Sequence, residues 1–392
     1  MKGFKPFLKA LAGNAAVLTN RTDQRGTVLV LGNESADMDS VVSSISLAYL
    51  LQATLPQTHW AIPVINTNRA DMSLRPDCQA ALQSIMPAAS LDSLTFIDDL
   101  DPDGRIWLVD HNAPAARQSE LEPLVEGIVD HHVDEGRCLG AKWRQIEMVG
   151  SCSTLVAERL FRQAQSHPDL MDADLAKLLL GAILLDTSNL DPAAQRATSR
   201  DVEMANWLTP QVSWIAAGSI APESLNVSNP RELYKALDKL KGRVSHLSAR
   251  DLLRKDYKQW AVGKWNVGIS SISYRLAKWI KRDGREEIEN SVMAWIEEQQ
   301  LQVAMVMTHG KVKQHGEKTY GRELLVSFAP AVDLGWRRFI VDELVKSDTL
   351  QLAPFFDEVD LQSRTSFFVQ SRKESSRKQV FPTIKSILEA IS

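Results

Sequence analysis

Through its first half the chain alternates short β-branched runs with longer stretches of helical period, a rhythm that confines it to a parallel sheet covered by helices. TVLVLG (27–32), RIWLVD (105–110) and EGIVD (126–130) are predicted strands, each ending where polar residues begin. Ser40 is placed to cap a helix through VVSSISLAYLLQ, and Ser151 or Ser153 to cap one through TLVAERLFRQA, by accepting hydrogen bonds from free N–H groups. Leucine spacing predicts a further helix over 172–190. In open sheets of this kind ligands bind beyond the carboxyl ends of the strands, where the Asp- and His-containing segments of this chain fall.

A chain of 392 residues is too long for one ordinary core. After residue 208 the segment TPQVSWIAAGSIAPESLNVSNP has three prolines and no clear period, which suits an interdomain linker. The expected organisation is a first domain over 1–208, a linker over 209–228 and a second domain over 229–392. In the second, QWAVGKWNVGISSIS, QVAMVMTH and ELLVSFAP are predicted strands and VFPTIKSILEAI a closing helix, giving a smaller α/β domain with a mixed sheet. The N-terminus is mildly basic and amphipathic but poor in Arg and Ser, so a local helix is expected there rather than a transit peptide. No apolar run reaches the roughly 18 to 20 residues of a membrane span, and no membrane partner is expected.

The net charge of −4 hides an asymmetry. Residues 1–224 hold 17 Lys+Arg against 28 Asp+Glu, a balance of −11, and residues 225–392 hold 28 against 21, a balance of +7. An acidic part that can gather cations, joined to a basic part that can hold an anion, suits a metal-assisted phosphate enzyme. The three cysteines, Cys78, Cys138 and Cys152, are odd in number and lack metal-site spacing. A reducing, cytoplasmic compartment is therefore expected, with a mitochondrial fraction left open.

Four segments carry the chemistry. GNESADMDS (32–40) sets Asp37 and Asp39 two apart after a strand; LVDHN gives Asp110 at another strand end; IVDHHVDEG gives Asp130, His131 and His132; LLGAILLDTSN puts Asp186 near the end of an apolar helix. An ionised carboxylate in that last setting is costly unless paired or metal-bound. Hard oxygen ligands with one imidazole suit Mg²⁺, Mn²⁺ or Co²⁺ better than a structural zinc site. Each piece also has a plainer reading: Asp37 or Asp39 as a helix cap, Asp110 as a turn residue, the His–His pair as structural, Asp186 as a cap through Ser188 or Asn189. Jointly these readings require four coincidences at element ends within one domain.

GNESADMDS, LVDHN, DHH and LLDT, in that order, resemble the four motifs of the DHH phosphoesterase superfamily. RKDYKQW (254–260) and SSRKQVFPTI (375–384) resemble the basic motifs of the second domain shared by family II inorganic pyrophosphatases and yeast-type exopolyphosphatases, so the likeness spans nearly the whole chain. NESADMDS has the form of the exopolyphosphatase branch. The resemblance implies that Asp37 and Asp110 ligate one metal and that Asp39, Asp110, His131 and Asp186 ligate the other, with Asp110 bridging. It implies that Asp130 orients the histidines, that His132 faces the phosphate, and that Asp110, His132 and Asp130 carry the catalytic roles. Lys258, Arg377 and Lys378 would grip substrate phosphates, Arg as a planar fork and Lys as a mobile point charge. Asn33 stands where the pyrophosphatases have a histidine; an amide oxygen is the weaker ligand, so a shift toward Mg²⁺ and contact with metal or substrate only through water are expected.

The expected function is an exopolyphosphatase that releases orthophosphate from the end of inorganic polyphosphate, using two divalent ions and a hydroxide they share. A monomer with no nucleic-acid partner is expected. Lys255, Arg372 and Lys373 are read as solvated charges or as a basic track for the polyanion's tail. The rivals are an inorganic pyrophosphatase, an oligonucleotide phosphodiesterase, and a non-catalytic, prune-like binding protein that has kept the fold. The basic RKQ motif argues against the oligonucleotide enzymes, and the complete third motif against the non-catalytic protein.

Overall fold

The structure is a computed structural model that describes residues 3–19, 26–54, 56, 59–85, 94–100, 104–214, 225, 227–314, 317–356 and 363–391. The chain divides into two compact units, Met1–Lys241 and Gly242–Ser392.

In the first unit six parallel strands, β1 (Thr27–Leu31), β2 (Trp60–Ile65), β3 (Thr95–Phe96), β4 (Arg105–Val109), β5 (Val125–Asp130) and β6 (Trp143–Ile146), lie in the order β3-β2-β1-β4-β5-β6. The expected strands are β1, β4 and β5; the alternation rule missed the short β3 and β6, and β2 carries a proline. Among the described residues, seven α-helices accompany this sheet: α1 (Phe4–Thr19), α2 (Met38–Thr54), α3 (Pro76–Ile85), α4 (Cys152–Ala164), α5 (Ala173–Asp186), α6 (Ser199–Leu208) and α7 (Pro230–Lys241). The chain builds β1, β2 and β3 toward one edge and returns to β4 on the other side of β1. The strand order therefore reverses between β1 and β4, and a crevice opens at their carboxyl ends.

Helix α2 is buried on every side from Met38 through Leu50, which accounts for its lack of a polar stripe. Its serines still find partners: Ser44 Oγ donates to the Val30 carbonyl at 2.6 Å, and Ser43 and Ser153 share a 3.1 Å bond. The helix starts two residues before Ser40, so the expected serine cap is corrected: the Ser40 amide donates instead to Asp37 Oδ1 at 3.2 Å. Helix α5 opens on Asp172, whose carboxylate accepts from the Asp174 and Leu175 amides, and closes on Asp186.

Of the expected linker over 209–228, residues 215–224 and 226 lie outside the described residues. Val212 and Leu225 on either side are buried in the first unit's core, as are Leu233 and Leu237 of α7. The compact units accordingly divide after Lys241, and α7 packs with the first unit rather than the second.

The second unit holds α8 (Ala249–Lys255), β7 (Tyr257–Val262), β8 (Trp265–Ile272), α9 (Leu276–Asp283), α10 (Arg285–Glu298), β9 (Val303–Gln314), β10 (Glu317–Phe328), α11 (Leu334–Val345), β11 (Leu352–Pro354), β12 (Thr365–Gln370) and α12 (Arg377–Glu389). Its sheet order is β11-β12-β10-β9-β8-β7, with β8 and β9 parallel and every other pair antiparallel, the mixed sheet that was expected. Val380, Ile384 and Leu388 of α12 pack into the core against that sheet, and Phe381 stacks on Trp260 with ring centroids 4.0 Å apart. Ser376 and Gln379 form a reciprocal capping box at the start of α12. Among the described residues no helix is long and apolar enough to cross a membrane.

Candidate metal centre

The turn after β1 carries three of the expected residues. Asn33 does not present its amide oxygen to the crevice: Oδ1 accepts from the Ser35 amide at 2.9 Å and from Ser35 Oγ at 2.5 Å. Its Nδ2 donates to the Asp110 carboxylate and, at 3.1 Å, to the Asp110 carbonyl. Asn33 thus braces Asp110. Asp37 is half-buried and its Oδ1 caps α2, so one plain reading of the sequence holds for it. Its charge still reaches the cluster, where it helps raise the pKa of both Asp110 and Asp186.

Asp39, in the first turn of α2, is buried against the start of α4. Its Oδ2 accepts from the Cys152 amide at 2.6 Å, and its Oδ1 from the Ser153 amide at 2.8 Å and Ser151 Oγ at 2.7 Å. Ser151 occupies the helix-cap position but gives its proton to Asp39 instead of accepting one, and Asp39 satisfies the free amides of the first turn. Gly150 precedes this turn because a side chain there would meet the Thr187 methyl at 2.6 Å and the Arg196 carbonyl at 2.7 Å. Its amide donates to the buried Asp201.

Asp110 follows β4 in a left-handed backbone conformation, φ 62°, unusual outside glycine and characteristic of strained functional turns. His131 lies beyond the end of β5, with Nε2 3.1 Å from Asp110 Oδ1 and 3.8 Å from Asp39 Oδ2. Its Nδ1 donates to the Val149 carbonyl at 3.1 Å, which directs Nε2 at the carboxylates. His132 Nδ1 bonds Asp130 Oδ1 at 2.8 Å. The side chain of His131 is 3% exposed and that of His132 is 27% exposed, so of the two only His132 is open to a ligand in solution.

Asp130 is fully buried. Burial opposes its ionisation, yet the charge and hydrogen bond of His132, joined by His131 and Asn112, hold its carboxyl well below the usual carboxylate range. Asn112 was not singled out from the sequence, although it lies within LVDHN. Its Nδ2 donates to Asp130 Oδ2 at 2.6 Å and to the Val133 carbonyl at 3.0 Å, and its Oδ1 accepts from the Glu135 amide at 2.8 Å, which pins the third motif to the second. Arg75, also missed, binds the first motif from behind.

Among the described residues, two groups of side chains have ligand atoms within 4.8 Å of one another: Asp110, His131 and His132, and Asp39, His131 and Asp186. Burial raises Asp110 to about 7, with Asp39 and Asp37 pushing the same way against the bond from His131. Burial and the charges of Asp39 and Asp37 push Asp186 well above its ordinary value, opposed by the charges of Lys241 and His131. Buried carboxylates that repel one another around an imidazole nitrogen form an environment that a divalent cation relieves, and the donor set of hard oxygens plus one nitrogen fits that cation.

The basic residues expected to hold phosphate lie in the second unit. Lys258 sits on β7 opposite Ile269 of β8. Arg377 opens α12, but its guanidinium is engaged: Nη2 bonds Asp256 Oδ1 at 2.7 Å and Nη1 bonds the Asp256 carbonyl at 3.1 Å. Lys378 is exposed on the next residue.

A doubly wound parallel sheet with a carboxylate–histidine cluster at its switch point, joined to a mixed-sheet unit, defines a class of two-domain α/β hydrolases. Residues 27–183 match the DHH family N-terminal domain and residues 235–387 match the DHHA2 domain. The chain belongs to the DHH phosphoesterase family in its DHHA2-bearing form. It is 30% identical to a putative exopolyphosphatase of Schizosaccharomyces pombe, over 93% of this chain and 91% of that one. It is also 30% identical to the exopolyphosphatase PRUNE1 of Bos taurus, over 94% of this chain and 77% of that one. A crystal structure of a putative family II inorganic pyrophosphatase from Methanococcus jannaschii shares the fold, with a TM-score of 0.63 and 20% identity over 92% of this chain and 99% of that chain.

Proposed function

We propose that this protein is an exopolyphosphatase that hydrolyses the terminal phosphoanhydride bond of inorganic polyphosphate and releases orthophosphate. The observation that carries the reading is the convergence of Asp39, Asp110, His131, His132 and Asp186, drawn from four distant segments, into overlapping ligand-spaced groups. Asp39, Asp110, His131 and Asp186 would hold one divalent ion, and Asp37 with Asp110 a second, Mg²⁺, Mn²⁺ and Co²⁺ all suiting the donors. Two such ions supply Lewis-acid polarisation of a phosphoryl oxygen and a lowered pKa for an attacking water.

The chain's own residues do the rest. Asn33 and His131 fix the orientation of Asp110, and the first turn of α4 fixes Asp39. Asp130 keeps His132 protonated at Nδ1 and directs its exposed face at the substrate, where it donates a proton to the departing phosphate chain. Lys258, Arg377 and Lys378 hold the non-bridging oxygens of the chain.

Support for polyphosphate over pyrophosphate comes from Asn33 and from the two relatives whose names carry exopolyphosphatase; the shared fold with a pyrophosphatase keeps that activity as the second reading. Phosphate release from pyrophosphate, tripolyphosphate, medium-chain polyphosphate and a short oligonucleotide, each with Mg²⁺, Mn²⁺ or Co²⁺, tests it. Faster turnover of the chains is expected, with products on a gel shortening one unit at a time. Turnover of pyrophosphate alone moves the assignment to the pyrophosphatases, and no turnover with any metal moves it to a binding protein.

A further inference from the structure

The turn that bears Asn33 and Asp37 and leads into Asp39, in the first turn of α2, has little regular structure of its own. Gly32 still pairs with the sheet through the Val64 carbonyl, and α2 begins only at Met38. Between them Ala36 takes a left-handed conformation, φ 45°, which a side chain disfavours and which persists only where surrounding contacts enforce it. From inside, the turn is held by Asn33 through Ser35 and by the Ala36 amide on the Asn33 carbonyl at 3.1 Å.

From outside it is held by Arg75. This residue is 3% exposed and lies between the 3₁₀ turn Arg69–Leu74 and α3. Its Nε and Nη2 both donate to the Ser35 carbonyl, at 2.8 and 2.5 Å, and Nη1 donates to the Asp71 carbonyl at 2.9 Å. A buried guanidinium directed at main-chain carbonyls fixes backbone rather than binding a ligand. Three donors in a rigid fork bridge two segments with one geometry, which a flexible ammonium does not reproduce.

We infer that Arg75 is a positioning residue for the metal centre: its fork on the Ser35 carbonyl sets the turn that delivers Asp37 and Asp39, and through Asn33 sets Asp110. The inference rests on the metal centre proposed above. It predicts that loss of the fork weakens metal binding more than it weakens the fold, because the turn has left-handed backbone to relax once its outer clamp is gone.

The test is titration of the whole metal-free protein with Mn²⁺ by calorimetry, alongside thermal unfolding in chelator. Arg75→Met is expected to weaken Mn²⁺ binding at least tenfold, and Arg75→Lys several-fold, since Lys keeps the charge but loses the fork. Leu82→Ala, which opens a cavity in the core beneath α3 seven residues beyond Arg75, is expected to lower the unfolding midpoint and leave Mn²⁺ binding within twofold. Should Arg75→Met not fold, Arg75→Lys alone decides. Wild-type protein that binds Mn²⁺ while the folded Arg75 variants bind it equally well overturns the inference and spares the centre, as does Leu82→Ala losing as much affinity. Wild-type protein that binds no Mn²⁺ overturns both.

Discussion

His131 Nε2 lies 3.1 Å from Asp110 Oδ1 while the opposite edge of the same ring is tied to the Val149 carbonyl, so the ring cannot turn Nε2 away from the carboxylate. A histidine ring and a strained aspartate are thereby fixed by groups on three segments, and several consequences can be measured.

Replacing Asp110 by Ala removes the residue common to the histidine pair and to the Asn33 brace. Turnover is expected to fall by roughly a thousandfold or more, with the fold retained. Circular dichroism alongside phosphate release checks it, and near-normal turnover in a folded variant rules out a bridging role.

The same residue gives the metal-free protein a characteristic pH dependence. Its pKa is raised by burial from 3.8 to about 7, so between those values the folded state binds more protons than the unfolded state. Stability from this group is therefore lost as pH rises through that window. Unfolding midpoints in chelator are expected to decline from acid toward neutral pH, and Asp110→Asn is expected to flatten the decline.

Asp130 is proposed to act through His132, to which it is bonded at 2.8 Å. Asp130→Asn is expected to cost about 10- to 100-fold in kcat, the range usual for partners of functional histidines. A pH–rate profile checks it: loss of the carboxylate lowers the His132 pKa, so the limb that reports the protonated histidine should move to lower pH.

Arg377 is proposed to grip phosphate, yet its fork is engaged by Asp256. Arg377→Met is expected to raise KM for polyphosphate about tenfold and to cost up to about 1 kcal/mol of stability, the scale of a partly exposed ion pair. Asp256→Asn should cost similar stability with a much smaller change in KM. Equal KM effects from both would assign Arg377 a purely structural role.

Tyr49 offers a prediction remote from the site. Its hydroxyl is buried with no hydrogen-bond partner among the described residues, beneath Phe4 and Phe7. Tyr49→Phe is expected to stabilise the protein by about 1 kcal/mol. Burial raises the phenol to about 12, so wild-type stability from this group is present below pH 10 and lost between there and about 12. Urea titrations at neutral and alkaline pH should show the variant's advantage growing through that range.

The sequence by itself determined the class of fold and the identity of the clustered side chains. Runs such as TVLVLG and RIWLVD are buried on a parallel sheet, and a motif placed after such a strand lands at its carboxyl end, because strand direction and chain order together fix that position. Asp39, Asp110 and His131 follow strands in this way, and Asp186 closes the apolar helix α5. What the sequence left undecided was how each group is held. Local pattern offered helix caps at Ser40 and at Ser151 or Ser153, but the neighbouring Asp37 caps α2, and Asp39, brought from a distant segment, takes the amides of α4, since a carboxylate accepts more strongly than a hydroxyl. The orientation of Asn33, the engagement of Arg377 by Asp256 and the clamp of Arg75 on Ser35 join residues 77, 121 and 40 positions apart. Only the tertiary structure decides such bonds, because a buried polar group must satisfy itself with whatever packing brings within reach, and no local pattern encodes that distance.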